Sequence, residues 1–304
     1  MTTRTALLAT ARTALFTPSL RPDRILKATG SDADVVIADL EDAVPAADKD
    51  AAREHLIALL SGTHDAGRLG APVAVRINSP STDAGRADLE ALRAIARPDG
   101  GRGSARAAAA AVGAGAPVGP QTPDLLDAVL IPKLDTAEQL REVRDGLGPG
   151  IGIVGTVESA AGLLALEEVT AQEGMVRLAV GALDLAFDLG CSADSRTMAA
   201  AMARVVTASR ARGLAGPLDS PTPQFRELDP VREDAQRARE DGFTGKLCIH
   251  PAQIPVVARA FAPTEDEIAW AHSVVDAADG ASAVDGAMVD APVIARARRI
   301  LAGG

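Results

Sequence analysis

Three residues of this chain put charge where a buried strand would not. Arg76 interrupts the apolar run VAVRIN, while Glu158 and Asp184 close two others, GIVGTVES (152–159) and VRLAVGALD (176–184). If those two runs are consecutive parallel strands, their carboxylates lie side by side. Adjacent anions repel unless they share a proton, face a protein cation or bind a divalent metal. Oxygen ligands without a nearby His or Cys favour Mg2+, which keeps several waters and exchanges them for substrate oxygens, with Mn2+ as the alternative. A guanidinium facing that site holds a carboxylate or enolate oxygen in a fixed fork. An ion pair of Arg76 with Glu41 or Asp42 is the competing use, and the two can coexist.

The elements that must position these groups alternate along the chain. Strand-like runs at TALFTP (13–18), DVVIADLED (34–42), PVAVRIN (72–78), DAVLIPK (127–133), GIVGTVES, VRLAVGALD, GPLDS (216–220) and GKLCIHP (245–251) are separated by amphipathic stretches at 21–28, 48–60, 83–96, from Thr136, from about Gly162, at 195–212 and at 231–241. Continuous apolar runs separated by helices imply parallel strands covered on both faces. Eight such units over about 250 residues predict a closed (β/α)8 TIM barrel spanning residues 1–262. An open doubly wound sheet is disfavoured because no Gly-rich dinucleotide turn follows TALFTP. In a barrel the C-terminal strand ends carry the chemistry, and here they supply a charged rim of Glu41, Asp42, Arg76, Lys133, Glu158, Asp184, Asp219 and His250, with strand interiors nearly uncharged. His250, before a proline, reads as a residue that orders its loop rather than as a base.

The remaining composition excludes classes. The 304 residues are 47% hydrophobic, enough for a large core without staples, and two cysteines (Cys191, Cys248) offer neither a disulfide framework nor metal-ligand spacing. A net charge of −10 disfavours nucleic acid and membrane surfaces as partners, and no apolar run is long enough for a span. The first residues have no acid before Asp23, as organellar leaders do, but TALFTP reads as the first strand, so little is left to cleave and the cytoplasm is expected. Residues 97–123 are low-complexity Gly, Ala and Pro, read as an inserted loop, and 263–304 read as a C-terminal helical extension, a lid that carries Asp290.

The blocks ALFTPSLRPDR, DVVIADLEDAV, VAVRIN, VLIPKLDTAEQL, TVESAAGLLALEE, RLAVGALDLAFDLG, GFTGKLCIHPAQI and GAMVDAP together resemble the citrate lyase β-subunit-like branch of the HpcH/HpaI aldolase and citrate lyase family. The resemblance implies a Mg2+-dependent enzyme that cleaves or forms a C–C bond in a β-hydroxyacyl-CoA such as malyl-, citramalyl- or citryl-CoA. It puts the metal carboxylates on Glu158 and Asp184, the substrate-binding Arg on Arg76, and an acid or base that crosses a subunit boundary on Asp290. A homotrimer or dimer of trimers follows, and Glu41 and Asp42 join the catalytic candidates. A CoA thioester needs cations for its phosphates, for which Arg12, Arg21, Arg24 and Lys27 around the first strand are the candidates. Ser19 and Ser220 stand where the family commonly has Gly, Ala161 replaces a common Arg, and Leu183 an occasional acid. A metal-dependent aldolase on free pyruvate or another 2-keto acid, without CoA, would use the same three site residues. A non-enzymatic binding protein with a decayed site is the third class.

Overall fold

Eight short runs of β-branched and small apolar residues pair in parallel, each with its neighbour in sequence, and the last pairs with the first, so the sheet closes. The strands are β1 (Thr13–Pro18), β2 (Val35–Asp39), β3 (Val73–Arg76), β4 (Leu126–Ile131), β5 (Gly152–Val157), β6 (Met175–Val180), β7 (Ala215–Asp219) and β8 (Gly245–Cys248). The computed structural model describes residues 8–67, 69–71, 73–95, 126–280 and 289–302. The helices are α1 (Pro22–Ala28), α2 (Lys49–Leu60), α3 (Asp83–Ile95), α4 (Ala137–Leu147), α5 (Ala160–Val169), α6 (Ala182–Asp188), α7 (Arg196–Ala211), α8 (Asp229–Glu240), α9 (Ile254–Phe261), α10 (Glu265–Gly280) and α11 (Ala291–Leu301). The fold is a (β/α)8 TIM barrel with C-terminal helices beyond it, as predicted. The Gly- and Ala-rich segment 97–123 lies outside the described residues.

Side chains alternate across each strand, and the core therefore splits in two. Leu15, Val36, Ala38, Val73 and Val75 join the helices in an outer layer. Ala14, Val35, Ile37, Ala74, Ala128, Leu130, Val154, Ala179, Leu218 and Leu247 fill the barrel. The strand interiors are not uncharged, contrary to the expectation from the apolar runs: Asp39 and Arg177 lie on the inward face, and Asp219 and Lys246 are buried on the face opposite Leu218 and Leu247.

Arg177, at the start of β6, plugs the floor. Its guanidinium donates to the carbonyls of Gly216 (2.5 Å), Leu8 (2.9 Å) and Ala11 (2.7 Å) and to the Thr244 hydroxyl (2.7 Å). Burial depresses its pKa to about 9, with Asp34 opposing the shift. Asp34 in turn accepts from the backbone N–H of Arg12 and Thr13, tying the entry of β1 to that of β2.

Local signals set the helix starts. Thr136 and Gln139 form a reciprocal capping box on α4, and Ser159 caps α5, which starts at Ala160 rather than near Gly162. α10 and α11 bury Ala271, Val274 and Ala297 against each other, with Trp270, Val293 and Ile294 packed on them, in a cluster separate from the barrel core. An Arg239–Glu267 pair (2.6 Å) links α8 to α10. Among the described residues, no helix is long and apolar enough to cross a membrane.

Replacing Arg177 with Ala leaves its carbonyl acceptors unpaired and opens a cavity in the floor. The variant should lose about 3 kcal/mol or more of stability in urea unfolding.

Candidate functional site at the barrel mouth

The period that sends Val35 and Ile37 inward also sends Asp39 inward, at the upper end of β2. The same parity carries Ala74 to Arg76, and Val154 through Thr156 to Glu158. Asp39 and Arg76 are direct partners across the β2–β3 register. Charge enters these strands only where the interior column reaches the mouth.

Arg76 is therefore held first by Asp39. Its Nε and Nη2 donate to the two Asp39 carboxylate oxygens at 2.7 and 2.6 Å, a two-pronged pair on a wholly buried carboxylate. Nη1 lies 2.9 Å from Glu41 Oε2, an ion contact without hydrogen-bond alignment, and donates to Asp42 at 3.4 Å. The guanidinium also sits 4.6 Å from the centroid of the Phe16 ring. The expected ion contacts with Glu41 and Asp42 are present, but the principal partner of Arg76 is Asp39, and the side-on fork is already taken. Hydrogen bonding to Asp39 raises its pKa despite burial. Asp39 also accepts from the backbone N–H of Glu41 (2.9 Å) and Ala43 (3.1 Å), fixing the loop that carries Glu41 and Asp42.

Lys133 completes the ring. Its ammonium lies 3.0 Å from Glu41 Oε1 and 3.8 Å from Glu158 Oε2, and its own N–H donates to Glu158 Oε2 at 3.2 Å. Lys133 is the single non-glycine with positive φ among the described residues (47°). Such strain concentrates at functional sites. Two cations, Arg76 and Lys133, thus face Asp39, Glu41, Asp42 and Glu158. Burial, then the Glu41 charge, pushes the Glu158 carboxyl up to about 7; Asp184 adds to the push, and Lys133 and Arg76 oppose it. Burial raises Glu41 as well, against the pull of Arg76 and Lys133.

Asp184 does not end a strand, as the apolar run suggested. β6 stops at Val180, Gly181 turns the chain, and Asp184 lies in the first turn of α6. The turn needs glycine, because a Cβ at position 181 would come within 2.6 Å of Glu158 Cγ. This close approach is how the helix carrying Asp184 is brought up to Glu158. Among the described residues, no three Asp, Glu, His or Cys groups cluster as a cation cage. Glu158 and Asp184 still fit a hard divalent ion, since Mg2+ takes one or two carboxylates and fills its remaining positions with water and substrate oxygens.

The other candidates are dispersed. Arg12 precedes β1, so it lies at the floor end, a full strand of roughly 20 Å from Arg21, Arg24 and Lys27, which follow the mouth end. The expected four-cation cluster is thus three residues, all exposed, with Arg21 paired to Asp23 at 3.1 Å. Asp290 caps α11, accepting from the Val293 N–H at 3.1 Å. Asn78 is a brace, not a reactive group: it bonds Asp88 through its N–H (2.8 Å) and amide (2.7 Å). Asp219 pairs with Lys246, and both are buried. His250 orders its loop as expected, capping the 3-10 turn Pro251–Gln253 and stacking on Phe225. Asp39 and Lys133 are the residues of this cluster that the sequence left without a role. Parity would have found the first; nothing in sequence announces the backbone of the second.

A closed barrel whose mouth gathers buried carboxylates around one fixed guanidinium defines a barrel enzyme with an acidic, arginine-anchored site. The chain belongs to the HpcH/HpaI aldolase/citrate lyase family, whose model matches residues 12–97 and 122–251, and within it to the citrate lyase β-subunit-like branch. It is 33% identical to a citrate lyase subunit beta-like protein of Mycobacterium tuberculosis, over 94% of this chain and 93% of the relative. It is also 33% identical to a (3S)-malyl-CoA thioesterase of Cereibacter sphaeroides, over 96% of this chain and 93% of that one. The crystal structure of the CitE protein from Mycobacterium tuberculosis with magnesium, acetoacetate and coenzyme A matches with a TM-score of 0.75 at 30% identity, covering 97% of this chain and 98% of that one.

The raised pKa of Glu158 has a signed consequence. Its contribution to stability is full below the ordinary carboxylate range and is lost as pH rises through about 7. In chelator, the wild type should therefore lose thermal stability from pH 5 to 8 relative to Glu158→Gln, which cannot ionise. Unfolding midpoints across that range read the difference.

Proposed function

We propose that this protein is a Mg2+-dependent carbon–carbon lyase acting on a β-hydroxyacyl-CoA of the malyl-, citramalyl- or citryl-CoA type, by retro-aldol/retro-Claisen cleavage or its reverse. The observation that carries the reading is the surplus of negative charge around Glu158 beside a guanidinium that cannot swing away. The relatives, which include a malyl-CoA thioesterase and a barrel crystallised with magnesium and coenzyme A, support it.

Glu158 and Asp184 would hold the ion, with Mn2+ as the substitute. Bound there, Mg2+ supplies charge that acidifies the substrate hydroxyl and orients the acyl carboxylate. Glu41, buried with its pKa raised, takes the hydroxyl proton. As the C–C bond breaks, its electron pair passes to the thioester fragment, and a 2-keto acid or glyoxylate leaves. Arg76, fixed by Asp39, uses its remaining N–H groups to stabilise the enolate oxygen that develops, because preorganised donors need no rearrangement as charge appears. Asp42, exposed beside Nη1, keeps that donor turned toward the mouth. Asp290 of the partner subunit protonates the enolate carbon. Arg21, Arg24 and Lys27, beyond the mouth end of β1, meet the CoA phosphates; Arg12, at the floor end, does not.

Delivery of Asp290 requires a neighbour, and we take the assembly to be a homotrimer or a dimer of trimers. Two features support it: the α10–α11 pair closes its own small core, and α6 leaves Leu183 and Phe187 exposed by 65% and 88% one turn apart, next to the site. A cytoplasmic location fits the two free cysteines.

Asp184→Ala should lower Mg2+-dependent release of acetyl-CoA, or its homologue, from malyl-, citramalyl- or citryl-CoA by about two to three orders of magnitude. Full turnover in that variant removes the metal pair. Binding of a fluorescent CoA analogue separates this activity from an aldolase on free 2-keto acids, which would ignore it. Phe187→Glu should shift the assembly toward monomer in light scattering and reduce turnover with it.

A further inference from the structure

The helix carrying Asp184 starts on a residue that cannot cap it. Gly181 has no side chain, and none fits, since a Cβ there would meet Glu158 Oε1 at 2.8 Å as well as its Cγ. The orphan N–H of Ala182 is satisfied from another strand: Ser220, just past β7, accepts it on its hydroxyl at 2.7 Å. Ser220 is buried, and the chain is held on both sides of it. Before it, Asp219 is ion-paired to Lys246; after it, the Thr222 carbonyl accepts from Gln253 Nε2 at 2.8 Å. The Asp184 side chain makes no hydrogen bond or ion pair among the described residues, so its place depends on the first turn of α6.

We propose that Ser220 is a positioning residue that caps α6 from outside and thereby sets the distance between Asp184 and Glu158. This rests on the reading of those two carboxylates as the Mg2+ pair. Without the cap the first turn frays, and the site loses its grip on a small ion before it loses its grip on a large one. Mg2+ demands near-octahedral geometry at short range, whereas Ca2+ tolerates longer and irregular bonds.

Calorimetric titration of the full chain with Mg2+ alone and with Ca2+ alone tests this without turnover. Ser220→Ala should bind Mg2+ about three- to tenfold more weakly with Ca2+ affinity nearly unchanged, and Ser220→Thr, which keeps the hydroxyl, should regain Mg2+ affinity. Ser220→Gly repeats the measurement should the Ala variant fold poorly. Unchanged Mg2+ affinity overturns the proposal, and so does a parallel loss for both ions that tracks thermal stability, the mark of a general structural role. Asp184→Ala, run alongside, should not bind Mg2+; if it binds like wild type, the metal reading has failed and takes the role of Ser220 with it.

Discussion

Burying Glu158 among other carboxylates is the constraint around which this molecule is arranged. A carboxyl whose pKa sits near 7 is a group the fold has made reluctant to ionise, chiefly by removing it from water. Arg76 and Lys133 relieve part of the repulsion but do not balance it. Arg76 is bound first to Asp39, and Lys133 divides its charge between Glu41 and Glu158. What remains at the mouth is a surplus of negative charge.

The barrel gathers its buried charges at the mouth chiefly through strand parity. Asp39, Arg76 and Glu158 continue interior columns that are uncharged lower down. A guanidinium at the end of a hydrophobic strand thus costs little: it stays inside the cylinder but lies at the open end, with a register partner of opposite sign. The division also separates tasks, since Arg177 and the floor residues bind the barrel together at the end away from the chemistry.

Much of this was legible in the residues themselves. The alternation of apolar runs and amphipathic stretches led to the eight strands and the closed barrel, and the rim residues Arg76, Glu41, Lys133 and Glu158 meet as the strand ends implied. Asp184 shows where local pattern fails. The apolar run continues through Gly181 into Leu183 and Leu185, and so short a stretch reads equally as strand or helix. Asp39 was readable, two places after Ile37 on the inward face, but its identity as the partner of Arg76 depends on register. The left-handed backbone of Lys133 and the hydroxyl of Ser220 reaching Ala182 are products of tertiary closure, and no local signal encodes them. Arg12 needed only the direction of β1: a residue before a parallel strand and residues after it belong to opposite ends of the barrel.

The guanidinium in the floor ties residues at the chain's beginning to residues far along it. Leu8 and Ala11 rest on Arg177, which also holds Gly216 and Thr244. During synthesis the first of these contacts waits until β6 has emerged, and the full set until the chain reaches the entry of β8. For most of translation the opening segment therefore has no seat, and the cylinder stays unsealed at its base. Closure is a late event that joins the opening segment to strands far along the polypeptide, a set of long-range contacts of the kind that slows folding.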